Sequence, residues 1–152
     1  MAGEGTAVLE ERRGEYLLST DRERVQVDAV HAYLTRSYWS AGIPVEVVER
    51  GVRNSLCFGI YHDGAQVGFA RIISDLATFA YLADVYVLEE HRGQGLSVWL
   101  MDFIIRHPDL QGLRRWMLAT QDAHGLYRKF GWTDLASPER WMQRHFPDVY
   151  QT

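Results

Sequence analysis

Gly93 and Gly95 stand in the run Arg92-Gly93-Gln94-Gly95-Leu96-Ser97, between two apolar stretches of different character. Tyr81 to Leu88 before it reads as a strand, and Val98 to Ile105 after it reads as a helix. A turn of this kind presents backbone N–H groups and the positive end of a helix dipole to an anion. Glycine lets the chain turn sharply and lets the anion come close. The chemistry this spacing suits is the holding of a phosphate. One side chain on the strand before the loop could act on a ligand held there. Asp84 interrupts an otherwise apolar strand between Ala83 and Val85, where a carboxylate is costly unless it faces a cleft or a partner.

The elements that must position these residues can be read in order. Tyr16-Leu17-Leu18 suggests a short first strand. Val27 to Tyr38 reads as a helix, with Val27, Val30, Tyr33 and Leu34 on one face. After the loop Trp39 to Ile43, Pro44 suits the first turn of a second helix bearing Val45, Val48 and Val52. Ser55 to His62 alternates as a strand, Asp63-Gly64 suits a hairpin, and Val67 to Ile73 is the partner. A turn at Ser74-Asp75 leads to a long strand, Thr78 to Leu88. The glycine loop and a largely buried helix follow, ended by Pro108. Arg115 to Ala119 is a further strand, and Asp122 can cap a helix running to about Phe130, with Gly131 as its stop. The tail with Pro138, Trp141, Phe146 and Pro147 shows no period. A strand–helix–strand unit implies a parallel pair, and the hairpins imply antiparallel ones. The expected class is α/β (α+β): a mixed, mostly antiparallel central sheet with helices on both faces, in the order β-α-α-β-β-β-α-β-α.

The chain has 152 residues, 47% apolar, with a formal net charge of −4. That length suits one domain, 15–152, after a mobile lead-in over 1–14. The acidic balance argues against nucleic-acid binding. No apolar run reaches the ~18 residues of a membrane span, and no basic-then-apolar leader opens the chain. A cytoplasmic protein without membrane partners is the expectation. The single Cys57 cannot form an internal disulfide and reads as a buried inert thiol rather than a nucleophile. The six histidines never fall at HxxxH spacing, so no metal is expected.

Three phosphate loops compete. A P-loop needs GxxxxGK and then Ser or Thr, and no Lys stands in this loop. A dinucleotide loop needs a third glycine, which does not follow Gly95 at the required spacing. Gly95-Leu96-Ser97-Val98-Trp99 likewise lacks the second glycine of a hydrolase elbow. The third fits: Arg92-Gly93-Gln94-Gly95-Leu96-Ser97 resembles the signature of the GNAT superfamily of N-acetyltransferases, save that Ser97 replaces Gly or Ala. Gly125-Leu126-Tyr127-Arg128-Lys129-Phe130-Gly131-Trp132 looks like that family's LY-x-K-x-G-aromatic segment, and Tyr81 to Val87 looks like its central strand. The resemblance covers roughly residues 16 to 134.

The resemblance implies an acetyl-CoA-dependent N-acetyltransferase that moves an acetyl group to the primary amine of a small molecule by direct attack. A non-catalytic coenzyme-A-binding sensor or scaffold is the alternative. It implies that amides from Gly93 through Gln94, Gly95 and Leu96 to Ser97 hold the coenzyme A pyrophosphate, with Val98 also at the cofactor. Arg92 would add charge or brace the loop, and Ser97 would crowd the ligand, donate to it or cap the helix. The edge Val85-Tyr86-Val87 would pair with the pantetheine arm as an added strand, and Thr120 and Ala123 would touch the cofactor. Asp84 would serve as base through water or as a structural partner of Arg71, with its facing dependent on a strand bulge. Tyr127 would serve the departing thiolate. Tyr38 and Trp39, with Tyr81, would line the acceptor side. The family is often dimeric, so a homodimer is compatible.

Overall fold

The computed structural model describes residues 7–151. Six strands form one sheet in sequence order: β1 (Glu10–Arg13), β2 (Tyr16–Ser19), β3 (Leu56–His62), β4 (Ala65–Ser74), β5 (Phe79–Val87) and β6 (Arg115–Met117). Neighbours are antiparallel except β5 and β6, which are parallel. The helices are α1 (Val27–Leu34), α2 (Val45–Arg53), α3 (Leu96–Ile105) and α4 (His124–Arg128). The parallel pair is the one joined through α3, as a crossover connection requires.

Helices cover both faces, as the patterning predicts. On one face Leu96, Trp99, Leu100, Met101, Phe103 and Ile104 of α3 pack with Tyr127 of α4 against Leu18, Phe58, Ile60, Ala70, Ile72, Ala80 and Leu82 of the sheet. On the other, Val30 and Leu34 of α1 and Val48 and Val52 of α2 pack on Cys57, Phe69 and Tyr86. In α3 only Val98 among the large apolar side chains is exposed, and Asp102 and Arg106 pair at 2.8 Å on the wet side. Asp63 and Gly64, both at positive φ, make the β3–β4 hairpin turn that their types predict.

Several boundaries differ from the sequence reading, each for a local reason. Residues 10–13, grouped by charge with the lead-in, are a strand hairpinned onto β2. Only Glu11 of the four is even half-buried, so the alternation that marks a strand is missing. Residues 1–6 of the expected lead-in lie outside the described residues. Helix α1 stops at Leu34 rather than Tyr38. The Ser37 hydroxyl donates to Leu34 O at 2.7 Å and accepts from Ser40 N at 3.1 Å, offering the backbone a turn instead of a further helical step. Strand β6 ends at Met117, short of Ala119. Asp122 does not cap α4. The N-cap is Ala123, whose N–H donates to Thr120 Oγ1 at 3.1 Å. α4 also ends early, at Arg128 rather than near Phe130, with Lys129 at its C-cap; Gly131 takes positive φ two residues further on, and the Trp132 N–H reaches back to Tyr127 O at 3.4 Å. The tail holds one 3₁₀ turn, Pro138–Arg140, and returns Tyr150 to the α1–α2 side.

Candidate active site

The site begins where two parallel strands part. β5 keeps β4 on one side from end to end, but meets β6 only through Phe79, Ala80 and Tyr81 against Arg115, Trp116 and Met117. Beyond Tyr81 that side of β5 has no strand partner among the described residues. Its backbone groups from Leu82 to Val87 therefore face a notch, which is the geometry that accepts an extended ligand as an added strand. Val85, Tyr86 and Val87 all lie on this stretch.

The glycine loop closes the end of the notch. Gly93 and Gly95 adopt φ of 79° and 78°, a left-handed conformation that glycine takes without the penalty other residues carry. Gly95 is itself the N-cap of α3, and no side chain caps the helix. Ser97 thus stands in the first turn rather than at the cap, which removes the capping reading. Turn hydrogen bonds run up to Arg92 N–Glu89 O and resume at Trp99 N–Gly95 O. Among the described residues the amides of Gly93, Gln94, Gly95, Leu96, Ser97 and Val98 between them have no partner, as befits the first amides of a helix. A Cβ built at Gly93 or Gly95 meets no atom within 4 Å, so the space over the loop is open. An open row of amides at a helix N-terminus fits a pyrophosphate. Arg92 braces rather than reaches out: its Nε donates to Val87 O at 2.9 Å and its Nη2 to Tyr33 OH at 3.2 Å.

Asp84 owes its position to a bulge. Phe69 pairs with Tyr86 and Arg71 with Ala83, so one residue of β4, Ala70, spans two of β5, Asp84 and Val85. Asp84 takes φ of 58°. Strict alternation would place it with Ala80 and Leu82 in the core under α3. The bulge turns it to the α1–α2 face, where Arg71 Nε donates to Oδ2 at 2.6 Å and Trp39 Nε1 to Oδ1 at 2.9 Å. Arg71 Nη1 donates onward to Ser55 Oγ at 3.0 Å, and Ser55 Oγ to Gly51 O at 2.7 Å. The Arg71 partner was visible as a possibility in the sequence; the Trp39 one was not.

Tyr127 is buried on α4, edge-on to Trp132 at 6.0 Å. Burial pushes its phenol up to about 12, with smaller contributions from Tyr38 and Asp122. It therefore keeps its proton far above neutral pH. Tyr38 accepts from the Gln121 N–H at 3.0 Å, which ties the α1–α2 loop to the β6–α4 loop that holds Thr120 and Ala123. Thr120 accepts locally from Ala123 and keeps its hydroxyl proton free to donate. Trp39 stacks edge-on with Tyr38 at 5.0 Å, and Tyr33 lies flat on Tyr86 at 4.0 Å. Loop, notch, bulge and α4 are thereby cross-braced by side chains from α1 and the loop after it.

A cavity of about 320 Å³ opens beside Asp84 under α1 and α2. Val30, Leu34, Ile43, Val48 and Phe69 form its apolar wall, Arg71 and Asp84 its polar floor, and Arg50, Asn54 and Tyr150 further lining. Sequence reasoning named Tyr38, Trp39 and Tyr81 for the acceptor side. None of the three lines this cavity, although Trp39 touches its floor through Asp84. The lining from α2 and from Tyr150 was missed. A valine-rich helix face reads as core, and the tail has no period. Cys57 is buried and bonded to Val52 O and Ser55 O at 3.5 and 3.7 Å. Burial pushes its thiol up to about 11, so it is a poor nucleophile. Spacing in sequence also missed a gathering in space: Glu15, His62 and Asp63 each bring a ligand atom within 4.8 Å of the others. They lie on the sheet's hairpins, and exposed groups of this kind are common without an ion.

Comparison with known proteins agrees with this geometry. A family model described as the acetyltransferase (GNAT) domain matches residues 53–134. A candidate acetyltransferase of Gibberella zeae is 37% identical, covering 77% of this chain and 78% of its own. The crystal structure of a candidate acetyltransferase of the GNAT family from Xanthomonas campestris pv. campestris superposes with a TM-score of 0.89 at 49% identity, covering 93% of this chain and all of that one. A Clostridium acetobutylicum acetyltransferase solved with acetyl-CoA shares the fold at a TM-score of 0.62 and 14% identity, over 86% of this chain and 94% of that one. The chain belongs to the GNAT acetyltransferase family.

Proposed function

We propose that this chain moves the acetyl group of acetyl-CoA to a primary amine of a small molecule by direct attack. The notch along β5, ending at the open amides of residues 93–98, carries the reading. The amides and the α3 dipole hold the pyrophosphate, and the free edge from Val85 to Val87 takes the pantetheine arm. The acceptor enters the cavity beside Asp84. Its nitrogen loses a proton through water toward that carboxylate, which keeps lone pairs beyond those used by Arg71 and Trp39. The amine then attacks the acetyl carbon, backbone amides at the β5 edge polarise the carbonyl oxygen, and the carbon–sulfur bond breaks with its electron pair going to sulfur. Tyr127 supplies the proton to that thiolate, and its phenolate is reprotonated by the second proton that the nitrogen sheds as the amide forms. The cavity lies at the small end of the ~300–1,000 Å³ usual for ligand sites, which supports a small acceptor over a folded protein surface.

Free-thiol release measured across a panel of amines tests this. Tyr127→Phe should lower kcat by roughly 10²-fold, the low end for a lost general acid, with coenzyme A affinity little changed. Equal kcat would remove the acid role. The second reading, a coenzyme-A-binding module without turnover, is favoured by one observation: both Asp84 oxygens are already bonded. Tight coenzyme A binding with no thiol release on any acceptor would establish it.

A further inference from the structure

We propose that the acceptor is an amino acid or a close analogue, recognised by a carboxylate near its amine; this rests on the acetyltransferase reading above. The charges around the cavity carry the inference. Its charged lining is Arg50 and Arg71 against Asp84, two guanidiniums to one carboxylate. Asp84 answers only Arg71, through Nε. Arg71 gives Nη1 to Ser55, which leaves Nη2 and its two N–H groups without a partner among the described residues. Arg50 has no carboxylate within 4.0 Å among the described residues, although Arg53 on the same helix pairs with Glu49 at 3.4 Å. Asn54 does not compensate, since its amide nitrogen donates to Arg50 O at 2.9 Å.

A site built only to receive a cationic amine would not place an excess of positive charge around its single carboxylate. The lining suits a ligand with charge at both ends. An ammonium is drawn toward the free lone pairs of Asp84, at the bulge beside the β5 notch where the thioester would lie. A carboxylate meets Arg50 and the spare Nη2 of Arg71, in the planar geometry that guanidinium groups offer carboxylates. The apolar wall of Val30, Leu34, Ile43, Val48 and Phe69 then faces the side chain. The volume, about 320 Å³, leaves room for a single residue of moderate size.

Matched acceptors test this. Initial rates of thiol release are measured for free amino acids and for their C-terminal amides, which keep the amine and lose the anion. The acid should have a KM at least about tenfold lower than its amide, the ratio expected from a lost charged hydrogen bond. Arg50→Ala should collapse that ratio toward one by raising KM for the acid, with kcat moving less, and Arg50→Lys should restore part of it. Arg50 is exposed, so these variants should fold. Amides used as well as acids, or an Arg50→Ala effect equal on both, would overturn the carboxylate while leaving the acetyltransferase reading intact. Thiol release on no acceptor, with coenzyme A still bound, would overturn both.

Discussion

Asp84 is held from both sides, by Arg71 through Oδ2 and by Trp39 through Oδ1, with its side chain nearly buried. Asp84→Asn keeps the shape and removes the charge, stranding the Arg71 guanidinium in a half-closed site. Unpairing a partly buried ion costs about 2 kcal/mol at this exposure, so the melting temperature should fall by about 4–8 °C in thermal denaturation. An unchanged melting temperature with abolished turnover would assign the carboxylate to chemistry alone. How much of this was legible differs by partner. An Asp inside an apolar strand announces that it needs a partner, and Arg71 on the neighbouring strand was a natural candidate. Trp39 was not, because it lies 45 residues away on a loop without period. Tyr127 was singled out by its motif alone, and its burial is a reason why its proton stays on at neutral pH.

At the scale of elements, the α3 N-terminus rests on Gly95 as a left-handed cap. Gly95→Ala adds a Cβ that meets no neighbour but must sit at positive φ. The strain is about 1–2 kcal/mol, relieved by twisting the same amides that would face the pyrophosphate. Chemical denaturation should show that loss, and calorimetric titration should show weaker coenzyme A binding. Unaltered affinity would move the anion site away from this loop. Hairpins, the buried α3 and the crossover could be read from period and turn chemistry because one face of each is buried. The place of the bulge at Asp84 and Val85, and the facing it gives Asp84, could not. It breaks the two-residue period locally, and that period is the only clue to facing that a strand's sequence holds. The splay of β5 from β6 was equally hidden, because Leu118 and Ala119 are apolar enough to continue a strand whose partner has turned away. The tail was illegible because Met142, Phe146 and Val149 are exposed and leave no buried face to imprint a pattern.

Across the whole molecule, two cores share one sheet, and each encloses an ionisable group in its neutral form: Cys57 on the α1–α2 side, Tyr127 on the α3–α4 side. The Cys57 thiol is raised by burial from 9.0 to about 11. Unfolded chains release that proton first, so stability holds below pH 9 and declines as pH rises through about 11. Two units correspond to about 2–3 kcal/mol. Tyr127 repeats the effect one unit higher, from 10.0 to about 12. Denaturation midpoints measured from pH 8 to pH 11 should fall, and Cys57→Ala should flatten the first part of the fall. A flat wild-type profile would place the thiol in water.

Among the described residues both rims of the sheet are unpartnered, and they are guarded differently. β6 offers only three residues, too short a template for another chain. β1 is longer and carries Glu10, Glu11, Arg12 and Arg13. The charges that conceal it as a strand in the sequence also make it a poor nucleus for intermolecular β-stacking. Colloidal behaviour at high concentration is thus written into the least strand-like tetrapeptide of the fold.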